Sequence, residues 1–192
     1  MFQDLDDTLA ALLQRELPLN NVAISFAAPD NTFPPIEVTP PAVDFFLYDI
    51  RENLNLRSNE WTDVRQPNGN VSRQRPSTRV DCSYLITAWS SAANAVRDEH
   101  RLLGEVMRVL LRYRRLPADI LQGSLVGHEP PVRSLVIREG FLQSPGEFWQ
   151  ALGGKPKAAL HYTLTLAVNV FPVEDIGPAV TEKVIKWKQG VP

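Results

Sequence analysis

The chain has a single cysteine, Cys82, in 192 residues. One cysteine excludes an intramolecular disulfide and any zinc site built on several thiolates, and it suits a reducing compartment. Histidine is nearly as scarce: His100, His128 and His161 are the full set. No two of them stand four residues apart as a helical metal-ligand pair would, and none neighbours the cysteine. No run approaches the ~20 apolar residues of a membrane span. The opening segment MFQDLDDTLAALLQREL is acidic at its start and lacks the basic region and cleavage site of a secretory signal. The expectation is a soluble protein made and used in the cytoplasm. Lysine is confined to the C-terminal part, at Lys155, Lys157, Lys183, Lys186 and Lys188; the other 15 basic residues are arginine. Arginine is favoured at protein interfaces for its planar, weakly hydrated fork, although codon bias in a GC-rich genome explains the same excess.

What is present is ordinary globular composition. Hydrophobic residues make up 44% and charged residues 22%, with a formal net charge of -2. These values exclude a wholly disordered chain and a coiled coil. They give no global reason to expect nucleic acid as partner. The length fits one domain with a core that needs no staples.

Periodicity supplies the elements. Leu5, Leu9, Leu12 and Leu13 predict an amphipathic helix that Pro18 ends. VAISFAA (22–28) reads as a strand, and the prolines at 29, 34, 35, 40 and 41 make an extended loop. A long strand follows, with Phe46, Tyr48, Ile50, Leu54 and Leu56 expected on one face. Residues 59–78 carry Pro67-Asn68-Gly69-Asn70 between polar arms, the signal of a protruding hairpin or loop. RVDCSYLITAW puts Val80, Cys82, Tyr84, Ile86 and Ala88 on one face. A helix over roughly 95–114, capped by Asn94, buries Leu102, Leu103, Val106, Leu110 and Tyr113. VRSLVIRE (132–139) reads as a strand, SPGEFWQAL as a short helix capped by Ser144, and LHYTLTLAVNVF as the last strong strand. For VTEKVIKWKQ, pattern does not choose between strand and helix. Alternation on the long strands predicts an α+β fold: a mainly antiparallel mixed sheet covered by helices on one side. Residues 1–171 are expected to form one domain and 172–192 an extension or arm.

Chemistry-bearing patterns are few. Cys82 lies on an apolar strand face, where a free cysteine is a small buried hydrophobe. GSLVG (123–127) has its serine second, not third as in a nucleophile elbow. LGGKP (152–156) lacks the remaining residues of a phosphate loop. Asp44, Asp49 and Glu52 lie near one strand, but Asp49 and Glu52 differ in parity. The expectation is a protein without catalytic residues, metal or cofactor. Arg101, Arg108, Arg112 and Arg115 are expected as one stripe on the second helix. This is either a docking face for an acidic partner or a solvated face whose last arginines complement the helix dipole. Arg65, Arg73, Arg75 and Arg79 form a second cluster in the hairpin region with the same two readings.

FLYDIRENLNLRSNEW (46–61), RVDCSYLITAW (79–89), EHRLLGEVMRVL (99–110) and GEFWQALGGKPKAALHYTLTLAV (146–168), in this order and spacing, resemble the N-terminal domain of the cap, or tail-terminator, protein of extracellular contractile injection systems. The resemblance covers roughly residues 1–171; RYRRLP after the second helix, and the tail, depart from the family pattern. It implies a phage tail-terminator-like fold and a structural role. Cap subunits of that kind form a sixfold ring that closes the inner tube and anchors the last sheath ring. The implied partners are further copies of the chain, the tube protein and the sheath protein, whose strand an open sheet edge can accept. Neither nucleic acid nor direct membrane insertion is implied. The competing readings are a stand-alone phage-tail-like adaptor or scaffolding domain and an enzyme of unknown type.

Overall fold

The computed structural model describes residues 1–17, 21–137 and 144–178. Helix α1 spans Phe2–Glu16, and strands β1 and β2 span Ala23–Ser25 and Ala42–Glu52. A hairpin follows, β3 (Thr62–Arg65) and β4 (Asn70–Gln74), then β5 (Thr78–Trp89). Helix α2 is Ala95–Arg112, β6 is Arg133–Val136 and helix α3 is Pro145–Ala151. Strands β7 (Ala159–Val168) and β8 (Glu174–Pro178) complete the described elements.

Five strands form the main sheet in the order β1-β2-β5-β7-β6. Only β1 and β2 pair in parallel; β2–β5, β5–β7 and β6–β7 are antiparallel. The class is therefore the expected α+β fold with a mainly antiparallel sheet. The alternation of β5 and β7 fixes its inner face. Cys82 opposes Leu164, Tyr84 opposes Tyr162, and Ile86 opposes Leu160. Over this face lie Leu5, Leu9, Leu12 and Leu13 of α1 and Leu102, Val106 and Leu110 of α2, all in one buried cluster. The Tyr84 hydroxyl donates to Asp6 Oδ1 at 2.7 Å and ties α1 to the central strand. Burial raises the Asp6 pKa above the usual carboxylate range, and this hydrogen bond offsets only part of the shift.

Strand β2 differs from the periodicity reading. Its core face is Val43 and Phe45, with Leu47 packed against the cluster. Phe46 and Tyr48, expected inside, lie on the opposite face against Phe148 of α3, with ring centroids 6.3 Å apart in both pairs. The register slips between Leu47 and Asp49, so Tyr48 is the extra residue of a bulge. The bulge returns Ile50 to the Cys82 side, beyond the helical cover, where it is 46% exposed. The strand stops at Glu52. Asn53 then accepts the Leu56 N–H at 3.2 Å and turns Leu54–Leu56 into a single 3-10 turn, so these leucines are not strand residues.

Helices are not confined to one side. α3 covers part of the second face, with Trp149 5% exposed. Trp149 is boxed in tightly: a Cβ on Gly154 would stand 3.2 Å from its ring and 3.1 Å from the Pro29 carbonyl. Ser144 caps α3 as expected by accepting the Glu147 N–H. Trp149→Ala is expected to cost about 3–5 kcal/mol. A chemical-denaturation midpoint unchanged from wild type would show that α3 contributes no packing energy.

The polar hairpin is more than a loop. Strands β3 and β4 join β8 in a second, three-stranded antiparallel sheet. The expected turn is there, with Gly69 at φ +85, a conformation that glycine adopts without steric cost. VTEKVIKWKQ lies outside the described residues, as do Pro18 and residues 138–139 of the predicted strand VRSLVIRE.

Candidate partner-binding surfaces

The structure divides the expected arginine stripe. Arg101, Arg108 and Arg112 are exposed on α2, but Arg115 is not on the helix. Helix α2 ends at Arg112, because the following backbone turns to the β6 edge. There Leu116 N donates to the Val132 carbonyl and Ser134 N to the Arg114 carbonyl, both at 3.0 Å. Arg115 consequently stands opposite Arg133 in an isolated antiparallel bridge, both exposed. On the helix itself, Arg108 donates to Glu105 and Arg112 to Glu16 of α1, each at 2.7 Å. These two side chains are 71% and 59% exposed, so their pairs are worth only ~0–1 kcal/mol and leave both arginines available. Arg101 has no ion pair among the described residues.

The second cluster lies on the three-stranded sheet. Arg73 forks onto Asp63 across the β3–β4 pair, with donor distances of 2.7 and 2.9 Å. Arg75 lies between two aromatic rings. Its guanidinium carbon is 4.7 Å from the Trp61 ring centroid and 4.5 Å from that of Phe171. Trp61 and Phe171 are 43% and 50% exposed. Neither ring stood out in the sequence, since the three residues converge only through tertiary pairing. Trp61, four residues before Arg65 of the arginine cluster, was the one available signal.

Among the described residues, the groups that chemistry would require do not converge. Burial pushes the Cys82 thiol up to about 12, which makes it an inert core residue at neutral pH. His128 bridges the Pro130 and Ala167 carbonyls, both at 3.0 Å. His161 faces the Tyr48 hydroxyl at 3.3 Å, and burial lowers its pKa. Among the described residues no group of three His, Cys, Asp or Glu side chains is placed to hold a metal ion. The Gly153–Lys157 stretch lines a cleft of about 510 Å³. Of its two lysines, Lys155 and Lys157, the second is already engaged: Lys157 Nζ pairs with Glu99 at 2.9 Å, donates to the Ala88 carbonyl at 2.9 Å and sits 3.5 Å from the Trp89 ring centroid.

The family described as the Pvc16 N-terminal domain matches residues 4–182. This chain belongs to that family. No curated protein matches it. Among solved structures, it is similar to the sheath/tube terminator of the extracellular contractile injection system PVC in its extended state. That likeness has 26% identity and a TM-score of 0.72, covering 100% of this chain and 64% of that one. It is also similar in fold to the anti-feeding prophage cap, a tube terminating cap, at 24% identity and a TM-score of 0.67, covering 97% of this chain and 62% of that one. The chain thus spans somewhat less than two thirds of the length of these two proteins. Among its described residues, no helix is long and apolar enough to cross a membrane.

Proposed function

We propose that this chain is a structural cap subunit that closes the end of the inner tube of a contractile injection particle. The observation that carries the reading is the family match over residues 4–182, nearly the whole chain. The fold likeness to a sheath/tube terminator supports it. Six copies form the ring, with the tube on one face and the last sheath ring on the other. The subunit performs no catalysis and is made in the cytoplasm as part of the particle. Residues 172–192 serve as an extension or arm beyond the 1–171 domain, anchored to it where β8 pairs with β4. Arg101, Arg108, Arg112, Arg115, Arg73 and Arg75 face its partners. The physical need is plain: stacked rings join head to tail, so a terminal ring always exposes the surface that bound the previous one. A cap matches that surface on one side and presents a different one on the other.

The test is to mix the purified chain with preformed tubes and image the ends by negative stain. Sixfold density at one tube end, with co-sedimentation, is expected; bare ends and no co-sedimentation overturn the reading. Reversal of Arg108, Arg112 and Arg115 to Glu is expected to weaken co-sedimentation while circular dichroism stays unchanged. Each exposed pair contributes little, but a ring repeats the loss in every subunit. Wild-type binding by the triple variant at both low and physiological salt would make these arginines a solvated face.

A further inference from the structure

A cleft of about 360 Å³ lies where the main sheet meets the three-stranded sheet. Arg57, Arg75 and Arg79 line it, together with Trp61, Phe171 and Ser77. We infer that this cleft is a carboxylate-binding site that captures an acidic side chain from an extended segment of a partner protein.

The geometry of Arg75 is the main argument. A guanidinium held between two rings cannot swing freely, because each stacking contact attracts the cation and fixes its plane. A fork fixed in this way presents its N–H groups edge-on at little further entropy cost, which is the arrangement a carboxylate needs for paired hydrogen bonds. Its own acidic neighbour, Glu174, is 3.8 Å away, beyond hydrogen-bond distance. Arg75 therefore retains donors for an incoming group.

The charge balance selects the ligand. Arg57 already holds Glu52, with Nε 2.8 Å from one carboxylate oxygen. Glu174 lies beside Arg75, and Arg79 has no ion pair among the described residues. Three arginines against two carboxylates leave about one uncompensated positive charge at the mouth. One carboxylate neutralises it. A polyanion such as nucleic acid would gain the same single charge and meet Glu52 and Glu174 as repulsive neighbours. The half-exposed walls of Trp61 and Phe171 suit apolar side chains beside the acidic one, so the segment is acidic and apolar in alternation.

The inference rests on the capping reading only for where the partner is found; the cleft stands on its own geometry. The test uses the full chain and a positional library of blocked octapeptides, screened by affinity selection. A parallel library carries free C-terminal carboxylates, and single-stranded oligonucleotides form a third arm. Enrichment of Asp or Glu at one position, flanked by apolar residues, is expected from the blocked library. Arg75→Gln combined with Arg79→Gln should lower affinity for the selected peptide about tenfold or more, with the melting curve unchanged. Arg75→Lys should recover only part of it, because an ammonium keeps the charge without the planar fork. No acidic enrichment, acidic enrichment that survives the double variant, selection only by terminal carboxylates, or preferential oligonucleotide binding would each overturn it. Tube-end imaging with the wild-type chain, set beside the peptide selection, separates the two ideas. Capped ends without peptide selection leave capping intact and remove the cleft, whereas bare ends with peptide selection do the reverse.

Discussion

Cells lacking this chain are expected to make particles whose tubes vary widely in length or end in frayed, unstable rings. A tube grows by adding identical rings through a head-to-tail interface, and such an interface never closes on itself. Growth therefore stops only when the terminal surface is covered. If stopping is left to subunit depletion or chance, each added ring has a similar probability of being the last, and the spread of lengths becomes comparable with the mean. A dedicated cap collapses that spread, because the matched surface disappears in one binding event. Negative-stain microscopy of particles from the deletion strain and from the complemented strain measures the distribution directly. Particles of normal, uniform length and normal stability in the deletion strain would show that termination lies elsewhere.

Much of the scaffold was legible because its strands alternate cleanly. In β5 and β7 every second residue is apolar, from Val80 to Ala88 and from Leu160 to Leu166, and all but Val80 and Leu160 are buried in the core. Strand β2 misled for a local reason. Phe45, Phe46, Leu47 and Tyr48 are consecutive apolar residues, so period two fits either parity, and the bulge at Tyr48 switches parity partway along. Arg115 was misplaced because the helix was expected to run to about residue 114 and the arginine spacing continues its face. The actual end of α2 is set by hydrogen bonds to the β6 edge, formed with residues far along the chain. The same reasoning explains the carboxylate cleft. Arg73 and Arg75 were visible as a basic cluster; the β3–β4 hairpin brings Trp61 beside them, but Phe171 becomes their neighbour only when β8 pairs with β4. A sequence read in windows carries no information about that pairing.

Asp44 was visible as one of three carboxylates near a strand, but its environment was not. It is 0% exposed, with Ser25 of β1 and Thr87 of β5 directly opposite it. Neither carboxylate oxygen makes a hydrogen bond of good geometry. The Ser25 hydroxyl and the Ala27 N–H are near enough to favour the ionised form slightly, yet desolvation dominates and pushes the pKa up from 3.8 to about 7. The folded protein thus binds a proton that the unfolded chain releases. Stability from this group is complete below the unfolded value near 3.8, falls as pH rises from there, and is lost once pH passes the folded value of about 7. The total is on the order of 4 kcal/mol, of which roughly 3 kcal/mol falls between pH 5 and pH 8. Asp6, also raised, acts in the same direction, while His161, lowered, acts in the opposite one. Comparison with Asp44→Asn isolates the one group, since the amide stays neutral throughout. Urea midpoints of wild type are expected to drop steeply from pH 5 to pH 8, whereas those of the Asn variant stay nearly level. At pH 8 the variant should be the more stable of the two, the reverse of what loss of a buried ion pair would produce. Parallel pH profiles for the two proteins would mean that Asp44 finds water or another donor and ionises normally inside the fold.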